Sequence, residues 1–246
     1  MKKPEDLGQK YLEKLAGLLQ KIGETQMPAI EQAACAVANA IASGNIVHVF
    51  GVGHSHILAE EAFFRAGGLA PVNAILEPSL MLHEGALKST QLENITGLAE
   101  VLLDYYEVQA DDVLIVASNS GVNAVPVEMA TLAKKRGVFT VAITSLSYSR
   151  MVKGQRKALF EVVDLVIDNL GEPGDAALDL PGVAQRVGPT STVAGAAIIN
   201  AIMIKATHLL QELGIEPPIY VSSHMPGAAE HNMRLMQRYR GRIKLL

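Results

Sequence analysis

The chain has 246 residues, 49% of them apolar and 19% charged, and a net charge of −4. That is enough chain for one large domain and too apolar a composition for a disordered one. The small negative charge, read without a basic cluster, argues against nucleic acid as the main partner. A single cysteine, Cys35, excludes an internal disulfide framework and cysteine-based zinc fingers. Its setting in Ala33-Ala34-Cys35-Ala36 predicts a small buried hydrophobe.

The start, Met1-Lys2-Lys3-Pro4-Glu5-Asp6, carries charge but no apolar run of a secretory signal. Apolar runs elsewhere read as strand-length and short of a bilayer span. The expectation is a cytoplasmic protein with no membrane partner. From Glu5 to about Ala42 apolar residues recur at helical spacing, interrupted at Thr25-Gln26-Met27-Pro28 and stopped by Ser43-Gly44-Asn45. This predicts two helices, with Pro28 in the first turn of the second.

Strands are predicted at Ile46–Phe50, Pro71–Leu76, Val113–Ala117, Phe139–Thr144 and Leu165–Asn169. Most are short, continuous, β-branched runs, the pattern of parallel strands covered on both faces. Helical stretches lie between them at Ile57–Ala66, about Leu92–Glu107, and Val122–Arg136. After a loop at Gly171–Asp175, Val193–Leu213 reads as one long apolar helix with Thr190 or Ser191 as its N-cap. A final helix is predicted from Pro226 to Arg240. The fold class is therefore α/β: a doubly wound, mostly parallel five-stranded sandwich with extra N- and C-terminal helices. It forms one domain, with a helical pair at 1–43, a core at 44–170, and a C-terminal loop and helices at 171–246.

Two turns carry the chemistry. Gly51-Val52-Gly53-His54-Ser55 follows the first strand, and Ser118-Asn119-Ser120-Gly121 follows the third. A strand that feeds a helix through small residues leaves backbone N–H groups free at the helix N-terminus, and serine hydroxyls add donors. Two such turns predict a pocket for a small phosphorylated ligand. A nucleoside-triphosphate loop is excluded by the missing lysine. A dinucleotide fingerprint is weakened because His56 stands where the third glycine belongs, although Glu77 sits where a ribose-binding acid would.

The two turns, Asn123, Thr144-Ser145 after the fourth strand, and the segment Ser149–Asp168 occur in one order on alternating strands and helices. With these features the chain resembles the sugar isomerase (SIS) domain family of phosphosugar-binding proteins, over about Asn45 to Asn169. The resemblance implies that Gly51, Gly53, His54 and Ser55 line a sugar-phosphate pocket. It implies that Ser118, Asn119, Ser120, Gly121 and Asn123 hold the phosphate, and that Ser145 approaches from the next loop. The residues alone leave ordinary helix capping open for Ser118 and Ser120.

Family members include aldose–ketose isomerases, an ether lyase and regulatory domains that only sense sugar phosphates, so three functions stay in view. The expected function is a phosphosugar isomerase of the phosphoheptose type. The alternatives are a non-catalytic sensor and an amino-sugar-phosphate lyase. Glu84, in His83-Glu84-Gly85, is the candidate base, since some isomerases and the etherase branch carry a catalytic glutamate after the second strand. A first-turn helix carboxylate is the other reading of Glu84. His83, or His231 from a neighbouring subunit, would move the second proton. His54, His56, His83 and Glu84 form an adequate donor set for zinc, but their spacing matches no stereotyped site, and no cofactor is expected. His48 and His208 are expected to be packing residues. Lys88 and Arg65 read as solvated charges. The apolar terminal helices predict a homodimer or homotetramer.

Overall fold

The computed structural model describes residues 6–246; Glu5, where the first helix was expected to begin, lies outside them. Helix α1 (Leu7–Thr25) is capped by Asp6, whose carboxylate accepts the Gln9 amide at 3.1 Å. Gln26 separates it from α2 (Met27–Ala42), and Pro28 stands in the first turn of α2 as the sequence predicts. Strand β1 (Val47–Gly51) leads through a 3₁₀ turn at Gly53–His56 into α3 (Ile57–Ala62). β2 (Val72–Ile75) follows, then α4 (Ala86–Leu92) and α5 (Leu98–Tyr105). β3 (Val113–Ala117), α6 (Ala124–Lys135), β4 (Phe139–Thr144), α7 (Leu146–Val152) and β5 (Leu165–Asp168) complete the sheet. α8 (Ser191–Glu212) and α9 (Ala228–Tyr239) close the chain.

The five strands form one all-parallel sheet in the order β2-β1-β3-β4-β5. Side chains alternate between its faces, as the two-residue period of a strand requires. Val47, Val49, Val113, Ile115 and Val141 pack under α2, α3 and α8. Phe50, Ile75, Leu114, Val116 and Ala142 pack under α5 and α6. The strand order reverses between β1 and β3, and the crevice at their carboxyl ends is where ligands bind in open α/β sheets.

Several expectations are corrected. The helix after β1 stops at Ala62 instead of Ala66, because the backbone turns to positive φ at Phe64. The helix expected from about Leu92 to Glu107 runs only from Leu98 to Tyr105, after Gly97, which adopts φ 89° and donates its amide to Glu128; Leu92 instead ends a separate helix, α4. Cys35 is exposed; Ala33 and Ala34 take the inward face of α2. His208 is exposed and pairs with Glu212. The reading that no apolar run reaches bilayer length does not hold for α8, which is long and apolar enough to cross a membrane by length and composition. In this fold its inward side is core, with Ile198, Ile199 and Ile202 fully buried against the sheet.

The C-terminal tail is fastened at the amino edge of the sheet. Buried Asp112, just before β3, accepts from the Ile46 and Gln109 amides and from Arg242, and His48 lies 3.1 Å from it. Asn73 lies 3.0 Å from the other ring nitrogen of His48. The burial of His48 agrees with its expected packing role.

Candidate functional site

Both predicted turns lie at the carboxyl edge, on either side of the crevice. At the first, a Cβ on Gly51 would overlap the backbone of Ser55, so the tight return of the chain requires glycine there. The Ser55 amide bonds back to the Val52 carbonyl at 3.0 Å. At the second, Gly121 has φ 62°, and a Cβ would lie 2.9 Å from Thr144 Oγ1 and 3.0 Å from Ser149 Oγ. The Gly121 amide donates to Ser118 Oγ at 3.2 Å, which closes the turn.

Asn119 is fixed by its neighbours. Its carbonyl accepts the Ser145 amide at 3.1 Å, and its side-chain oxygen accepts Asn169 Nδ2 at 2.9 Å. Its Nδ2 is buried and has no hydrogen-bond partner among the described residues. An unmet buried donor costs about 1–3 kcal/mol, so this amide is a standing site for an acceptor.

A third wall comes from α8. Gly195 has no side chain where Leu58 of α3 presses in, and this close approach brings the N-terminus of α8 beside Ser55. Ser55, Leu58, Ala117, Ser118, Asn119, Ile143, Asn169, Ser191 and Thr192 line one narrow cleft. Its free volume is only about 10 Å³, so a phosphate must part its walls. Larger clefts exist elsewhere, one of 510 Å³ beside Phe64 and Met236, but none of them lies at the strand reversal. No lining residue of the narrow cleft is charged; its donors are hydroxyls, amides and helix ends.

Sequence reasoning missed Asn169, Ser191 and Thr192. The signal was present: Thr190-Ser191-Thr192 puts three hydroxyls where one suffices for a cap. Thr190 is the N-cap residue of α8, as expected, but its side chain makes no capping hydrogen bond. Asp175 reaches across the loop instead, accepting the Thr190 and Ser191 amides at 3.0 Å each and the Ser191 hydroxyl at 2.6 Å.

Not every predicted residue faces the cleft. Ser145 is fully buried; its hydroxyl donates to the Gly171 carbonyl at 2.5 Å and accepts the Tyr148 amide. It caps α7 and ties the next loop. Ser120 is half-buried with no side-chain hydrogen bond among the described residues. Asn123 bonds to Glu93, a half-buried carboxyl that burial pushes up while the Asn123 bond lowers it. Gly53 lies near Leu82, so the 3₁₀ turn Leu82–Glu84 borders the first turn.

His54, His83 and Glu84 are exposed around that border. Glu84 is ion-paired with Lys88 at 2.6 Å, and the Lys88 hydrogen bond holds its carboxyl below the usual range. Arg65, past the end of α3, pairs back with Glu61 of that helix. His56 is buried, with Nδ1 on the Gly53 carbonyl and Nε2 3.3 Å from Glu60; its ring meets that of His83 edge-on at 6.2 Å. The donor set considered for zinc does not fit a metal: both His56 nitrogens are engaged, and no group of three or more His, Cys, Asp or Glu among the described residues could hold an ion. His231 lies at the opposite, amino edge, with Nε2 donating to the Ile219 carbonyl at 2.8 Å. Residues 218–220 there pair with Gly68–Ala70, just before β2.

The SIS domain matches residues 10–145. A UPF0309 protein of Geobacillus kaustophilus is 46% identical over 239 residues, covering 96% of this chain and 95% of that protein. One of Halalkalibacterium halodurans is 44% identical over 96% of each chain. A phosphoheptose isomerase from Francisella tularensis superposes with a TM-score of 0.56 at 17% identity, over 82% of this chain and 97% of that one. A phosphoheptose isomerase from Neisseria gonorrhoeae gives 0.52 at 16%, with the same coverage. At such identities the structures attest the fold, an all-parallel α/β sandwich. By the matched domain and the full-length relatives, the chain belongs to the SIS domain family and groups with the UPF0309 proteins.

Proposed function

We propose that the chain binds a phosphorylated sugar at the β1–β3 crevice and interconverts its aldose and ketose forms, as a cytoplasmic phosphosugar isomerase of the phosphoheptose type. The observation that carries the reading is the cleft itself. Ser55, Ser118 and Thr192 line it together with Asn119, whose buried Nδ2 is unpartnered among the described residues, and no charged side chain lines it. Ser120, Gly121 and Asn123 stand on the same turn. Such a set of neutral donors beside helix ends suits a small anion.

With the phosphate there, the sugar extends toward the Leu82–Glu84 turn. Aldose–ketose exchange moves a proton from C2 to C1, and a second group moves a proton between the two oxygens. Glu84, ionised beside Lys88, would take the carbon proton, and His83 would serve the oxygens. Proton transfer of this kind takes no cofactor. His231 of the same chain is at the wrong edge, so any part it plays requires a second copy; an assembly of two or four copies belongs to this reading.

Binding without turnover is the rival. It is favoured by one observation: Glu84 is exposed and its pKa is lowered, a poor setting for a base. Solvent-deuterium incorporation at C2 separates the two. The isomerase reading predicts exchange in the wild type and its loss in Glu84→Gln, with sugar-phosphate affinity within about threefold of wild type. Absence of exchange with every sugar phosphate that binds would leave the sensor. Exchange that survives Glu84→Gln would remove this residue as the base.

A further inference from the structure

The reading that the chain has no basic cluster meets one exception. Residues 150–157, Arg-Met-Val-Lys-Gly-Gln-Arg-Lys, hold four cations and no acid in a chain of net charge −4. All four cations are exposed. Lys153 is ion-paired with Glu161, which Lys157 also influences through space; Arg150, Arg156 and Lys157 form no ion pair within 4 Å among the described residues.

Both ends of this segment rest on the second turn of the candidate site. Ser149, immediately before it, is fully buried with its hydroxyl unpartnered among the described residues, 3.0 Å from where a Gly121 Cβ would stand. Leu159, two residues past it, donates its amide to the Gly121 carbonyl at 2.7 Å. The segment therefore loops out from Gly121 and returns to it. Lys157 is two positions before Leu159, with only Ala158 between them, at most about 7 Å of extended chain, and Arg150 adjoins Ser149. Phe160 underlies the loop, with the Arg150 guanidinium 5.9 Å and the Lys153 ammonium 6.0 Å from its ring centroid.

None of these cations lines the cleft, whose donors are all neutral. They lie on the loop that leaves and rejoins the second turn at Gly121. Clustered like charges repel one another in the free protein, and an anion beside them relieves that repulsion while the local field draws it in. On the phosphosugar reading, which this inference presupposes, one phosphate is already provided for. We propose that the ligand carries a second anionic group, a carboxylate or a further phosphate, held by Arg150, Arg156 and Lys157 while the first phosphate occupies the Ser55–Ser118 cleft.

Titration calorimetry with three probes tests this: fructose 6-phosphate, fructose 1,6-bisphosphate and 6-phosphogluconate. The expected result is that one or both doubly anionic probes bind about tenfold or more tightly than fructose 6-phosphate. Which of them gains tells a phosphate from a carboxylate. The ratio should fall to about threefold or less in the triple variant Arg150→Gln, Arg156→Gln, Lys157→Gln, and should narrow with added salt in the wild type. The substituted side chains are exposed; should the triple variant unfold, the pair Arg156→Gln, Lys157→Gln makes the same comparison. Binding of fructose 6-phosphate with no gain from the second anion, or a gain that survives the substitutions, overturns the inference and leaves the phosphosugar reading standing. Failure of all three probes to bind overturns that reading and this inference together.

Discussion

Asn119 shows how a single residue is prepared for a ligand. Its backbone and its side-chain oxygen are spent on Ser145 and Asn169, so the Nδ2 group is aimed without freedom to turn away. Ser120, one residue on, is half-buried with its hydroxyl unengaged. Ser120→Ala should leave stability nearly unchanged and weaken sugar-phosphate binding by about 1–3 kcal/mol, as expected for a hydrogen bond to a charged group; calorimetry and a thermal melt read the two effects separately. Unchanged affinity would place Ser120 outside the phosphate contacts. At this scale the sequence was informative wherever the signal was local. Ser118, Asn119 and Gly121 follow an apolar strand and announce a turn. Asn169, Ser191 and Thr192 reach the same cleft through tertiary crossings of more than 45 residues, which no local pattern records.

Among the elements, α8 links fold to site. Its inward stripe is core, and Gly195 lets it approach α3 closely enough to point its N-terminus at the first turn. The carboxylate of Asp175 holds that end in place. Asp175→Ala should lower stability by about 0.5–2 kcal/mol, the usual cost of losing a helix N-cap, and denaturant unfolding checks it. A loss near zero would mean that water or Ser191 takes over the cap. The α/β alternation and all five strands were legible, because buried parallel strands read as short β-branched runs. The break between α4 and α5 was not, because apolar spacing continues across Gly97 while its positive φ keeps it out of a helix. The outward position of Cys35 was missed for a related reason: an alanine-rich run gives little contrast between faces.

For the whole molecule, the two edges of the sheet do different work. The carboxyl edge carries the unpartnered Asn119 Nδ2 and Ser149 Oγ, while Asp112, His48, Asn73 and the C-terminal tail through Arg242 join in one network at the amino edge, where Asn73 Oδ1 and Arg242 Nε are also left unpartnered among the described residues. Burial alone would raise the Asp112 pKa, but hydrogen bonds from His48 and from the Ile46 and Gln109 amides outweigh it and hold the carboxyl below the usual range. A carboxylate depressed on folding adds stability that is present above its unfolded pKa, near 3.8, and is lost as pH falls through the folded value. Asp112→Asn should therefore cost about 2–4 kcal/mol near pH 7, below the full effect of breaking a buried pair because Arg242 is partly exposed. The gap between variant and wild type should shrink once the pH drops below the ordinary aspartate range. Urea unfolding at neutral pH and near pH 3 measures it, and a gap independent of pH would assign the loss to packing instead.

The central claim is that a sugar phosphate binds at the β1–β3 crevice. A crystal structure of the protein with a sugar phosphate tests it most directly. The account predicts the phosphate between Ser55, Ser118–Ser120 and Thr192, within hydrogen-bond distance of Asn119 Nδ2, with the cleft opened from its present 10 Å³. A phosphate seated elsewhere, such as the 510 Å³ cleft beside Phe64 and Met236, with Asn119 Nδ2 still unpartnered, would contradict it.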